Sequence, residues 1–137
     1  MNVILSIKPK FVKEIFEGRK IFEYRKTIFK KPVDKVYIYS SSPVCRIVGE
    51  FKIKSIITDT PENLWEETKE YSGITRLFFD SYFEGKRIAY ALKIEDVVKY
   101  GEAIHPNIIF DNFTAPQSFV YTELNLKPVG GINLAHT

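Results

Sequence analysis

The order of the hydrophobic periods in this 137-residue chain restricts its fold more than any other feature. Period-two alternation comes first, in an expected strand over residues 1–7 with Val3, Leu5 and Ile7 on one face. A helix over 10–17 follows, with Phe11, Val12, Ile15 and Phe16 at helical spacing. Pro9 suits its first position and Gly18 is placed to end it. Extended patterns return at 20–25, 35–40 and 46–57, the last with Gly49 as an expected bulge or bend. Thr60-Pro61 reads as the cap and first position of a helix reaching Tyr71, and Ser72-Gly73 breaks it. A second helical piece covers 75–83 and ends at Gly85. Residues 87–97 make the longest expected strand, after which Gly101, Pro106 and Pro116 punctuate short irregular pieces. Strand and helix do not alternate regularly, which argues against a doubly wound parallel sheet. The expected class is α+β: a small mixed β-barrel with flanking and plugging helices. It forms one domain over 1–126, followed by a C-terminal tail over 127–137.

Several function classes are set aside by what the chain lacks. Its longest apolar run, Ile88-Ala89-Tyr90-Ala91-Leu92, has five residues, too few to cross a bilayer, so no membrane partner is expected. The first ten residues do not read as a secretory signal. One cysteine, Cys45, excludes an intrachain disulfide. It reads as a small core residue, and a cytoplasmic location is expected. One Cys and two His assemble no standard zinc site, so neither metal nor other cofactor is expected. His105 precedes a proline and His136 lies next to the last residue, and neither reads as catalytic. No GxGxxG, P-loop, HExxH or GxSxG pattern occurs.

Charge is uneven. Residues 1–35 hold ten Lys/Arg against four Asp/Glu, and the remainder holds ten against thirteen. The basic bias is thus N-terminal, where a phosphate-bearing partner is plausible. Within it, the segment from Gly18 to Lys26 is the most informative. A glycine closes a helix and a strand starts at once. Alternation puts Glu23 and Arg25 on one face with Ile21, and Lys20, Phe22 and Tyr24 on the other. Twist near Gly18 is what could bring Lys20 round to the mouth of a barrel. The plainer reading is an ion pair between Glu23 and Arg25. The sharper one is a polar pocket. There Arg25 offers a planar fork, Glu23 accepts from an amino group or acts as a base, and Lys20 supplies a charge or a reactive amine. Ser6 and Lys8 leave the first strand beside this segment. Tyr39 and Ser41 end the third strand as candidates to stack on a base and to bond phosphate. Phe78, Phe79, Tyr82 and Phe83 are expected in the core.

The stretch Leu5-Ser6-Ile7-Lys8-Pro9 through Gly18-Arg19-Lys20-Ile21-Phe22-Glu23-Tyr24-Arg25 resembles the signature of ASCH domains, in the PUA-like superfamily. That pattern is a strand ending in Ser-Ile-Lys-Pro, a short helix, then Gly-x-Lys-x-x-Glu-x-Arg. Gly18, Lys20, Glu23 and Arg25 occupy every fixed position. Tyr82-Phe83-Glu84-Gly85, Ala89-Tyr90-Ala91-Leu92 and Pro116-Gln117-Ser118-Phe119-Val120-Tyr121 extend the likeness to about residue 124. The resemblance implies a small β-barrel with flanking helices. It also implies a cleft lined by Lys20, Glu23 and Arg25 that takes RNA or a modified nucleoside or nucleotide, in a role linked to translation or transcription. Some members are enzymes. One branch hydrolyses an acylated cytidine with a Lys, a Thr and a Glu. Lys20 matches the first, Glu23 stands at the Thr position, and Glu70 is the nearest counterpart of the last. Another branch cuts single-stranded nucleic acid with Lys and Tyr side chains, roles for which Lys20 and Tyr39 are the counterparts. The alternative to a binding module is therefore a hydrolase with Lys20 and Glu23 as its catalytic pair.

Overall fold

A computed structural model describes residues 1–127 and 131–134. Its strands are β1 (Asn2–Ile7), β2 (Phe22–Arg25), β3 (Val36–Ser40), β4 (Arg46–Asp59), β5 (Ala89–Ile104), β6 (Phe119–Thr122) and β7 (Ile132–Leu134). Its helices are α1 (Pro9–Phe16), α2 (Pro61–Thr68), α3 (Arg76–Tyr82) and α4 (Pro106–Ile109). The strands form one mixed sheet in the order β2-β5-β4-β3-β1-β6, with β7 added to β5. Among the described residues only β1 and β3 run parallel, and α1 and β2 lie in the connection between them. The expected α+β curled sheet with flanking helices is what the chain forms.

The sheet curls because its longest pair is irregular. Strands β4 and β5 pair antiparallel with three register shifts, each of which bends the ladder. One shift falls between Ile47 and Gly49 and has a visible effect on packing. Ile47 and Phe51 would share a face in a regular strand, yet they enter different hydrophobic clusters. Gly49 also admits the ring of Phe16 from α1. A Cβ there would lie 2.5 Å from the Val98 carbonyl oxygen and 2.8 Å from that ring.

Among the described residues, three clusters hold the fold. Alternate residues Val3, Leu5, Ile7, Val36 and Ile38 line the hollow of the curled sheet, and Val12 and Ile15 of α1 plug its end. Ile4, Tyr37, Tyr39, Ile47 and Tyr100 fill the opposite face under α4 and Phe113. The insert α2–α3 packs Leu64, Phe79 and Phe83 on Tyr24, Ala89 and Ala91 of β2 and β5. Leu124 and Leu126 are tied down by the Tyr37 hydroxyl, which donates to the Leu124 carbonyl at 3.0 Å and accepts from the Leu126 amide at 2.8 Å.

Two local expectations are corrected. The helix expected to reach Tyr71 ends at Thr68 and tightens into a 3-10 turn, Lys69–Tyr71. The strand expected to stop near Val97 continues through Gly101 to Ile104, because its partner β4 is long enough to pair with it as far as Ile47. In the expected tail, Ile132–Leu134 pair with Val97–Lys99, while His136 lies outside the described residues. No helix among the described residues is long and apolar enough to cross a membrane.

Gly49→Ala is expected to lower the unfolding free energy by about 1–3 kcal/mol through overpacking. Denaturant melts should show a lower midpoint at unchanged slope. An unchanged midpoint would mean that the bend does not depend on the seating of Phe16.

Candidate functional site

The curl brings the edge strand β2 round towards the far edge of the sheet. Arg25 at the end of β2 marks the meeting, since its Nη2 donates to the hydroxyl of Ser118, next to β6. Beside this seam lies a cleft of about 390 Å³. Ser6, Ile7 and Lys8 reach it from the end of β1, and Ser41 from the end of β3. Lys20, Glu23, Tyr24 and Arg25 form its floor, and Phe78 and Tyr82 of α3 form its outer wall. The volume falls in the roughly 300–1,000 Å³ range of small-ligand clefts.

The three charged residues of the floor are almost fully buried, with exposures of 1% for Lys20, 6% for Glu23 and 8% for Arg25. The Lys20 ammonium donates to the Ser72 carbonyl at 2.8 Å and lies 3.5 Å from Glu23 Oε1. It also sits 4.8 Å from the centre of the Tyr24 ring and 5.5 Å from that of Phe11. Burial holds its pKa below the usual lysine value, and the Glu23 charge opposes that shift. Glu23 Oε2 faces Arg25 Nη1 at 3.4 Å. Each carboxylate oxygen thus has one cationic neighbour and keeps acceptor capacity. Arg25 Nε is buried without a partner.

Strand alternation alone would send Lys20 away from Glu23 and Arg25. It joins them because regular pairing of β2 begins only at Phe22. Lys20 lies before that point, in an isolated bridge to Ser72 of the insert. Gly73 makes this bridge possible. Its φ is +65°, and a Cβ on it would fall 2.4 Å from Lys20 Cβ. A second stitch runs through Tyr24. Thr68 Oγ1 donates to the Leu64 carbonyl at 2.7 Å, so the Tyr24 hydroxyl is the donor in its 2.6 Å bond to that oxygen. Burial pushes the Tyr24 phenol up to about 12.

Of the residues singled out from the sequence, Ser6, Lys8, Lys20, Glu23, Arg25 and Ser41 border one cleft. Tyr39 does not. Only 4% exposed, it packs on the other face of β3 with its ring 5.4 Å from that of Phe113, where it cannot stack on a ligand in this cleft. Glu70 is exposed on the 3-10 turn and borders a separate shallow groove. The aromatic wall was missed. Phe79 and Phe83 are core, as expected, but Phe78 and Tyr82 are half-buried and stacked, with centroids 6.3 Å apart and planes 13° from parallel. These are two i, i+4 pairs one residue apart on α3, so one pair faces inward and the other faces the cleft. Gln117, also missed, lies in the Pro116-Gln117-Ser118 piece of the ASCH-like pattern.

A family model described as a domain of unknown function (DUF365) matches residues 1–111. The large ribosomal subunit protein uL22 of Ureaplasma parvum is 30% identical over 101 residues, which are 72% of this chain and 32% of that protein. The chain spans about a third or less of the length of the first curated relatives it matches. An ASCH domain-containing ribonuclease of Zymomonas mobilis is 26% identical over 123 residues, covering 88% of this chain and 83% of that protein. The crystal structure of ASCH from Zymomonas mobilis superposes with a TM-score of 0.80 at 25% identity, covering 89% of this chain and 87% of that one.

The Tyr24 phenol gives a test of the cleft floor. Its pKa rises from 10.0 when unfolded to about 12 when folded. The folded form keeps the proton longer, so this stabilisation is complete below pH 10 and is lost as pH climbs towards 12. The loss is about 2–3 kcal/mol. Tyr24→Phe should remove that share of the alkaline decline in unfolding free energy. Equal slopes for both proteins between pH 10 and 12 would contradict a buried phenol.

Proposed function

The chain belongs to the DUF365 family and has the ASCH-type, PUA-like fold, and from that premise we propose that its cleft binds RNA or a modified nucleoside. The observation that carries this reading is the burial of Lys20, Glu23 and Arg25 at the floor of a cleft with room for a ligand. Taking three charges out of water is costly, and well-packed apolar residues of similar volume would serve the fold as well or better. A polar ligand gives the arrangement a use. The Arg25 fork suits a phosphate or the acceptor edge of a base. Glu23 suits an exocyclic amine, and Lys20 adds positive charge. Ser6, Ser41 and Lys8 supply donors at the mouth, and Phe78 and Tyr82 supply faces for stacking.

A role linked to translation or transcription, a cytoplasmic location and a functional unit over 1–126 belong to the same proposal. The first rests on the ASCH-like pattern around Gly18, Lys20, Glu23 and Arg25. A second reading, cleavage of single-stranded nucleic acid, is favoured by the depressed pKa of the Lys20 amine and by the relative named as a ribonuclease. In that reading Lys20 transfers the proton and Glu23 orients or activates the attacking group. Hydrolysis of an acylated nucleoside is less well supported, since Glu70 stands outside the cleft.

Fluorescence anisotropy with short RNAs tests the binding reading. Affinity should fall as salt rises. Arg25→Gln and Glu23→Gln should each weaken it roughly ten- to hundredfold, as expected for a lost hydrogen bond to a charged group, with folding checked by thermal melts. Absence of affinity at low salt for RNA and DNA of all four bases would overturn the proposal. So would wild-type affinity in both folded variants. For the cleavage reading, labelled RNA should be turned over by the wild type and not by Lys20→Ala, and equal background in the two would remove it.

A further inference from the structure

The cleft floor holds an amine unlike the others of the chain. Among the described residues Lys20 is the one buried lysine, whereas Lys8, Lys10, Lys13 and Lys26 of the same basic region lie exposed. Its stem is fixed at the root. The Lys20 amide donates to the Glu14 carbonyl at 3.0 Å, and the bridge to Ser72 pins the residue from the insert. The amine itself has three possible N–H donors but only one close acceptor, the Ser72 carbonyl at 2.8 Å. Glu23 Oε1 stands off at 3.5 Å, and the Tyr24 and Phe11 rings flank the remaining space.

This setting favours an amine that gives up its proton. Burial holds the Lys20 pKa below the ordinary lysine value, and the Arg25 charge pushes it the same way, against Glu23. A desolvated lysine beside another cation is a nucleophile at neutral pH, and its typical electrophile is a carbonyl carbon. Glu23 stands where it can carry protons to and from the nitrogen. On the other side of Glu23 lies a fork for an anion. Of the five N–H donors of Arg25, Nη1 faces Glu23 and Nη2 donates to Ser118, and Nε has no partner. Amine, carboxylate and guanidinium border one cleft of about 390 Å³.

We propose that Lys20 forms a reversible imine with a small aldehyde that carries a carboxylate or a phosphate. Glu23 takes a proton from the ammonium, and the freed amine attacks the carbonyl carbon. Glu23 passes that proton to the carbonyl oxygen, which gives a carbinolamine. It then takes a second proton from nitrogen and delivers it to the hydroxyl. The C–O bond breaks, water leaves, and the nitrogen lone pair completes the C=N bond. The product is an iminium with one N–H, held against the Glu23 carboxylate, and the step needs no oxidant or reductant. Arg25 pairs with the anionic group and turns the carbonyl towards the amine. This activity goes beyond the RNA reading and requires no nucleotide.

The test is reductive trapping near pH 7 with cyanoborohydride, using glyoxylate and, separately, propanal, followed by intact mass and peptide mapping. In the wild type, glyoxylate should label Lys20 at least about tenfold faster than any exposed lysine, because an ordinary lysine is almost wholly protonated at that pH. Lys20→Arg should remove this label and leave the slow labelling elsewhere. Arg25→Gln should lower the ratio of glyoxylate to propanal labelling at Lys20 by about tenfold, as for a lost hydrogen bond to a charged group. A ratio taken within one protein cancels any change in the reactivity of the amine. Labels spread over exposed lysines with Lys20 unmodified in the wild type would overturn the imine site, whatever the variants do. An unchanged ratio in Arg25→Gln would overturn the anionic class of the aldehyde. Trapping is measured without nucleic acid, so failure here and failure of RNA binding are separate results.

Discussion

The curl of the sheet is the constraint on which everything else in this molecule depends. A flat sheet in the order β2-β5-β4-β3-β1-β6 would hold β2 and β6 at opposite ends. Register shifts in the β4–β5 pair bend it until Arg25 at one edge meets Ser118 at the other. The bend is sustained by apolar packing. Val3, Leu5, Ile7, Val36 and Ile38 fill the hollow, and α1 closes its end. The cleft is what the curl leaves open at the seam, and the ends of β1 and β3 reach the same place because those two strands run parallel.

Burial of the charged trio makes sense in that setting. Lys20, Glu23 and Arg25 are arranged plus, minus, plus, each within 3.5 Å of its neighbour, so their mutual attraction offsets part of the desolvation cost. The offset is incomplete. Arg25 Nε finds no partner, and the Lys20 ammonium is disfavoured relative to water despite Glu23. Such a cluster is poised to gain from a ligand that brings acceptors and donors of its own. The insert α2–α3 completes the enclosure. It is stitched to the residue run before β2 by the Lys20–Ser72 bridge and to β2 by Tyr24 on Thr68, so the wall that carries Phe78 and Tyr82 is held in register with the floor.

Much of this was legible in the chain. Helix starts at Pro9 and Thr60-Pro61 follow from a cap and prolines, the helical piece at 75–83 from its spacing, and the bend at Gly49 from a glycine inside a period-two run. The nearness of Ser6, Lys8, Lys20, Glu23 and Arg25 follows from a motif rather than from periodicity, since strand alternation separates Lys20 from Glu23, and Ser41 follows from its place at the end of the third strand. What brings them together is a long-range bridge to Ser72, which no local pattern encodes. Tyr39 was misplaced for a related reason. In β3 the even positions 36, 38 and 40 face the hollow, and Tyr39 faces the opposite cluster, but which parity points inward is decided by pairing with β1 and β4. The continuation of β5 past Gly101 likewise depends on the length of its partner strand.

Replacing the trio as a unit separates the demands of the fold from those of a ligand. The measurement is the unfolding free energy and the single-strand affinity of Lys20→Met/Glu23→Leu/Arg25→Met, side by side with the wild type. If the curl is held by its apolar core and the charges serve a ligand, the triple variant should be as stable as the wild type, or more stable by about 1–4 kcal/mol, and should no longer bind. A variant that loses several kcal/mol, yet binds as tightly per folded molecule, would show that the charges belong to the scaffold and that the cleft is not a binding site.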